Sequence, residues 1–308
     1  MPFRFQLNES IPDSTRRLIC EQISHAADHL TNHEAEIDTS IHETRKCFKK
    51  IRSVLRLVRI DLGDLYRTEN AWFRDAGKRL APYRDAAAVL EALEKLRKTM
   101  RQDIDTQNFA AAVAFFERES RQTTEQDSDL NSTIQQLVTD LESKRRQTRK
   151  WSVHTNGVAT ITDGLRRTYR RSRNAMRKAY ADTTAENFHE WRKRIKYHWY
   201  HCCLLTNLWP NVLLPYAREI HRLADLLGDY HDLDILRDSI IRDLEPTGIG
   251  DIGNLLRLIE GRQAALRKEA LPLGCRIYAE RSNRFAQRLG HYWNTWREQD
   301  KIDIAQVW

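Results

Sequence analysis

Apolar side chains recur at steps of three and four through Ile41, Thr44, Phe48, Ile51, Leu55, Val58 and Leu62, the spacing of a single stripe along an α-helix. The same periodicity predicts helices over about 13–31, 70–98, 108–122, 129–150, 158–181, 185–207, 211–242, 252–269 and 275–298. No stretch alternates with a period of two between turn signals, so strands are not expected. Breakers fall between the periodic segments: Asn32-His33, Gly63, Asp127-Ser128-Asp129, Asn156-Gly157, Asn207 to Asn211 with Pro210, and Pro246-Thr247-Gly248-Ile249-Gly250. Short loops of this kind join antiparallel helices, and the chain is expected to be all-α.

The pattern is also doubled. His42-Glu43-Thr44-Arg45-Lys46-Cys47-Phe48-Lys49 returns as His189-Glu190-Trp191-Arg192-Lys193-Arg194-Ile195-Lys196, 147 residues on. The same offset, without a gap, lays Tyr83-Arg84-Asp85 on Tyr230-His231-Asp232 and Leu80 on Leu227. Two landmarks in one register mark a repeat. The expected fold is therefore two antiparallel helical bundles, residues 1–150 and 151–308, related by a pseudo-twofold axis and packed as one body, because no low-complexity linker separates them. Pro82 and the equivalent Gly228-Asp229 predict a shared kink or helix restart ahead of Asp85 and Asp232.

Charge changes the picture next. Net charge is +8, from 38 Arg and 13 Lys against 43 acidic residues. Guanidinium offers a planar fork that fits phosphate oxygens two at a time, although GC-rich codon usage produces the same excess of arginine. Five cysteines without metal-type spacing read as reduced thiols. The N-terminal residues lack a signal-type apolar run and no segment reaches the ~20 apolar residues of a membrane span. A cytoplasmic protein with no membrane contact is expected.

The charges are ordered. His42, Arg45, Lys49, Arg52, Arg56 and Arg59 fall on one face of their helix, about a third of a turn from the apolar stripe. From His42 to Arg56 the row runs roughly 21 Å at ~1.5 Å per residue. Like charges at this spacing repel unless carboxylates or an anion neutralise them, and Glu43 alone is insufficient. The second copy keeps His189, Arg192, Lys193 and Lys196. The helix before it carries Arg166, Arg170, Arg173 and Arg177 on one face, with Arg167, Arg171 and Lys178 beside them. Weaker rows are Arg74 with Lys78, Arg218 with His221 and Arg222, and Arg281 with Arg284 and Arg288, each of which a solvated face also explains.

The paired His-Glu-x-Arg-Lys-x-x-Lys motifs, the run Gly164-Leu165-Arg166-Arg167-Thr168-Tyr169-Arg170-Arg171-Ser172-Arg173, the Leu226–Asp234 segment Leu-Leu-Gly-Asp-Tyr-His-Asp-Leu-Asp and the opening around Glu9-Ser10-Ile11-Pro12 resemble the conserved histidine α-helical domain (CHAD) family over essentially the whole chain. The resemblance implies two bundles about a pseudo-twofold axis with a basic channel that binds inorganic polyphosphate, without catalysis and without cofactor or metal. Polyphosphate granules are then a possible location within the cytoplasm. The Glu-x-Glu-x-Lys signature of the triphosphate-tunnel enzymes fused to some relatives is absent, which implies a stand-alone module. The chain departs from strict doubling where Cys203 matches Arg56 and His231 matches Arg84, so the halves need not contribute equally.

Other chemistries fit less well. A His-Glu-x-x-His zinc site would need a second His where Lys46 and Lys193 stand. His231-Asp232 is similar to metal phosphohydrolase pairs, but its counterpart is Arg84-Asp85, and Arg does not ligate metal; a helix cap or salt-bridge lock suits Asp better. His198, His201, Cys202 and Cys203 do not share a helix face, since adjacent residues point about 100° apart. Trp72, Trp191, Trp199, Trp293 and Trp296 are assigned to the core. His42 and His189 stay open between donating to phosphate and locking helices together. Nucleic acid is the rival ligand for the basic surface, and a metal-dependent phosphohydrolase the less favoured rival function.

Overall fold

The computed structural model describes residues 3–32, 37–100, 106–125, 129–154, 157–248 and 252–299; the side chains of 83–87, 106–108 and 120–125 lie outside that description. Among the described residues every regular element is helical. The first half runs α1 (Ile11–Thr31), α2 (Ile37–Leu57), a short α3 (Arg59–Leu62), α4 (Asp64–Arg79), α5 (Pro82–Thr99), α6 (Thr106–Glu125) and α7 (Asp129–Thr148). The second runs α8 (Val158–Ala181), α9 (Ala185–Leu204), α10 (Pro210–Ser239), α11 (Ile252–Ile277) and α12 (Ser282–Glu298). None of the described helices is long and apolar enough to cross a membrane.

Local chemistry starts several of these helices. Ser10 caps α1, its hydroxyl accepting from the Asp13 amide at 3.2 Å with Pro12 in the first turn, and Thr184 caps α9 through the Asn187 amide at 3.3 Å. The predicted stripe of α2 is the buried one: Ile41, Phe48, Ile51 and Leu55 lose nearly all solvent contact, and Val58 and Leu62 continue it past the helix end. Thr44 sits in that apolar row by donating its hydroxyl to the Ala26 carbonyl of α1.

The two halves use one neighbour plan. α8 opens at Val158, 147 positions after Ile11, and α2 and α9 end at Leu57 and Leu204 at the same spacing. α1 packs on α2 and α7, α2 on α4, and α5 on α6; α8 packs on α9 and α12, α9 on α10, and α10 on α11. Contacts of α2 with α8 and α9, and of α5 with α10, then close the seam between halves. The closest approach is at Gly164 of α8. A Cβ there would lie 2.1 Å from the Leu57 carbonyl oxygen, so only glycine lets α8 lie against the end of α2.

Of three expected boundaries, two differ from expectation. Pro82 does restart a helix, since a proline lacks the amide and clashes with the carbonyl four residues back. Gly228-Asp229, its counterpart, interrupts nothing: α10 is continuous from Pro210 to Ser239, because a helical glycine costs only about 1 kcal/mol. The predicted break near residue 270 is also absent. α11 continues through Pro272 to Ile277 with Leu273, Gly274 and Ile277 buried, Gly274 seating against Met176 and Trp191. The turn signals at His33, Asp127, Ser128, Asn156, Ile249 and Gly250 lie outside the described residues.

Candidate anion site in the seam between halves

The basic face of α2 turns into the seam and meets α9. Lys49 lies among Lys196, Arg192 and Arg45, with the carboxylate of Asp232 opposing them; burial, then these cations, push its ammonium down to about 7. Burial and Arg192 push Lys196 down to about 8. Burial lowers Arg192 as well, and its Nε is buried without a hydrogen-bond partner. Asp232 is raised by burial and shares Lys95 with Asp229, at 3.9 and 3.1 Å. Lys49, Lys196, Arg192 and Arg45 are crowded together with Asp232, and with Asp225 beside Lys196, as opposing charges, while Lys95 is shared by Asp232 and Asp229; burial of these cations is a penalty that an entering anion would relieve.

One to two turns along α2 lies a second, arginine-rich group. The Arg56 guanidinium sits 4.2 Å over the Tyr197 ring and donates to the Tyr66 hydroxyl at 3.2 Å. Arg59 lies 4.7 Å over Tyr66, and Arg52 donates Nε to Asn70 while facing Tyr197 at 5.9 Å. Arg167, Arg171 and Arg194 complete a shallow recess with Arg56 and Arg59. Burial lowers Arg171, and Arg194, Arg59, Arg56 and Arg167 repel it further. The tyrosine faces hold guanidiniums by cation–π attraction without removing their charge. Gly164 produces this group, because the close crossing of α8 over α2 carries Arg167 and Arg171 to Arg56 and Arg59.

The motif's remaining positions have local duties. Glu43 binds Lys46 at 3.1 Å, and Glu190 binds Lys193 at 2.7 Å and also Arg194. In both copies, therefore, the motif's glutamate holds its own lysine at i+3. His189 approaches His231 Nδ1 to Nδ1 at 3.2 Å, tying α9 to α10. Burial and nearby cations push His231 down to about 3 and lower His189, so neither is a cation at neutral pH. His42 is exposed at the first turns of α2; the side chains of Arg84 and Asp85, which would complete its half of the comparison, lie outside the described residues. His201 donates Nε2 to the Ser53 carbonyl at 2.9 Å, a second tie between α9 and α2, while His198 is enclosed by Tyr169, Tyr216, Tyr278 and Phe285.

One expectation needs correction. Arg166, Arg170, Arg173 and Arg177 do not join the seam. Their row on α8 points about 150° from the buried face at 100° per residue, and Arg166, Arg170 and Arg177 are exposed. Arg167 and Arg171, about 110° around the helix, line the recess instead, Arg171 remaining exposed on its other side. Lys95 gave no sequence signal, since α5 meets α10 only through the fold. Of the weaker rows, Arg74 and Lys78 share Asp75 at 2.9 and 3.9 Å, with Arg74 near enough to Arg52 to repel it. Arg222 pairs with Glu269 and Arg288 with Glu280, and Arg284 is exposed on α12. Arg218 and His221 line a different recess, the His221 ring tilted 47° against Trp199 at 4.1 Å and bound to Asp225 at 2.9 Å.

The sequence profile of the CHAD domain matches residues 19–240, a span that holds both motif copies and all of α2, α8, α9 and α10. The chain belongs to the CHAD domain family. No curated protein matches it. CHAD domains are associated with binding of polyphosphate or triphosphate-related ligands, and both cation groups of the seam are built from helices inside the matched span.

Proposed function

We propose that this CHAD protein binds inorganic polyphosphate, without catalysis, along the seam between its two halves, with Lys49 and Lys196 near a pseudo-twofold axis and the arginine recess beside them. The carrying observation is Lys49, which the fold presses against Lys196, Arg192 and Arg45 with Asp232 as the opposing charge. From Lys49 to Arg56 the two groups span roughly 10 Å of α2 at ~1.5 Å per residue. A polymer charged at every unit neutralises such an extended row better than a compact anion does. Guanidinium forks and ammonium donors make charge-assisted hydrogen bonds to phosphate oxygens, and each neutralised phosphate releases counterions, so affinity falls steeply with salt.

The test is a salt-titrated binding measurement with labelled polyphosphate. Reversing Lys49, Arg52 and Arg56 to Glu should remove most binding with the helical circular-dichroism signal intact. Reversing Arg97 and Lys98, exposed at the end of α5 and paired with Glu94, should remove little. Equal losses from both variants would show that net charge attracts the polymer. Phosphate release from polyphosphate with Mg²⁺ or Mn²⁺ present would show an enzyme.

A further inference from the structure

The outward row on α8 is left without a role by the seam. Arg166, Arg170, Arg173 and Arg177 follow one another at roughly 4.5–6 Å along about 16 Å of helix. Asp163, the one carboxylate on α8, binds Arg166 at 2.6 Å and Arg167 at 2.9 Å. Arg170, Arg173 and Arg177 have no ion-pair partner among the described residues. At the boundary with the adjoining α12, Arg173 and Arg288 both act on the Tyr169 hydroxyl, and Arg288 is occupied by Glu280 at 2.6 Å. Repulsion between like charges at i, i+3 and i, i+4 opposes this helix in isolation, and among the described residues of the row only Arg166, through Asp163, has an ion pair to offset it.

We propose that the outer face of α8 is a second anion surface, separate from the seam, that takes the phosphate backbone of duplex nucleic acid without reading its sequence. Three features choose this partner. The cations are all guanidiniums, which grip phosphate oxygens in pairs. The exposed large apolar residues, Ile60, Trp209, Val212, Ile241 and Leu271, all lie off α8 and α12, so the face has nothing to insert into a lipid surface. Tyr169 is buried and no exposed ring stands in the row, so unpaired bases have nothing to stack on. Backbone contact without base contact is how sequence-independent duplex binding works.

The experiment measures anisotropy of a labelled mixed-sequence DNA duplex against salt, in parallel with polyphosphate binding, for the wild type, the outer variant R170E/R173E/R177E and the seam variant K49E/R52E/R56E. The wild type should bind duplex with a slope of log affinity on log salt near −3, about 0.9 per phosphate contact. The outer variant should lose that slope and more than tenfold in affinity at low salt, yet keep polyphosphate binding. The seam variant should do the reverse. The neutral variant R170Q/R173Q/R177Q should lose duplex binding too, which separates lost contacts from added repulsion. Absence of duplex binding by the wild type, or equal loss in outer and seam variants, would overturn the proposal. So would capture of phosphatidylglycerol vesicles through the row in place of duplex. Because polyphosphate binding is read separately, its failure would count against the seam alone.

Discussion

Raising the pH from 6 to 9 at constant ionic strength should weaken polyphosphate binding by about three decades, and two lysines account for it. In the unliganded protein Lys49 titrates at about 7 and Lys196 at about 8; next to a polyanion both return toward the ordinary lysine value near 10.4. Binding therefore takes up protons, and affinity follows the fraction of each lysine already charged. At pH 9 that fraction is about one in a hundred for Lys49 and about one in ten for Lys196. The internal phosphates of the polymer do not titrate in this range, so the slope reports the protein. Calorimetry in buffers of different ionisation enthalpy should register an uptake of about 1.4 protons at pH 8. Stability runs the other way. The folded pKa values lie below the unfolded ones, so the unfolded chain holds more protons between pH 7 and 10, and the unliganded protein gains stability as pH rises through that window. Lys49→Met should cut the pH effect on affinity to about one decade and, by removing a crowded buried charge, raise stability by about 1–3 kcal/mol. Affinity that is flat from pH 6 to 9, or equally steep with methionine at position 49, would refute the assignment of Lys49 to the site.

Other perturbations separate packing from binding. Gly164→Ala places a methyl 2.1 Å from the Leu57 carbonyl oxygen; it should cost about 1–3 kcal/mol in thermal unfolding and also weaken polyphosphate binding, because α8 must withdraw Arg167 and Arg171. Tyr197→Ala removes the ring beneath Arg56 and Arg52 and should weaken binding by about 0.5–2 kcal/mol, whereas Tyr197→Phe should retain it. Glu69→Gln leaves the Lys144 ammonium, 13% exposed and 2.8 Å from its partner, without a counter-charge; a loss of about 3–5 kcal/mol in thermal unfolding is expected.

How far the sequence reveals this molecule depends on whether a feature is local. The α2 stripe from Ile41 to Leu62 is legible because each buried position is fixed by helical period alone, and the 147-residue register anticipates where α8 starts and where α9 ends. Pro82 is legible since proline changes the backbone wherever it stands. Gly228 and Pro272 mislead because neighbours decide the outcome: buried Gly228 costs little in a packed helix, and Leu273 and Ile277 hold α11 together past its proline. On α8 two arginine sets have equally good helical spacing. The longer set draws the eye, yet the shorter pair, Arg167 and Arg171, lies beside Arg56 and Arg59, because the tertiary crossing at Gly164 and not the helical period decides which set is brought in.

That selection follows from how a charge can be kept inside a folded protein. A cation left in water on an outer face carries no burial penalty and gains nothing from the fold. A cation that the fold carries against neighbouring helices is penalised by burial and by other cations, as for Lys49, Lys196, Arg192 and Arg171. Deprotonation and anion binding are two ways to remove the same penalty. The lysines can use the first near neutral pH, and the arginines, whose ordinary pKa exceeds 12, have only the second. Lys49 and Lys196 therefore make the seam's affinity depend on pH, while Arg56, Arg59, Arg167, Arg171 and Arg194 keep it attractive to anions when the lysines are neutral.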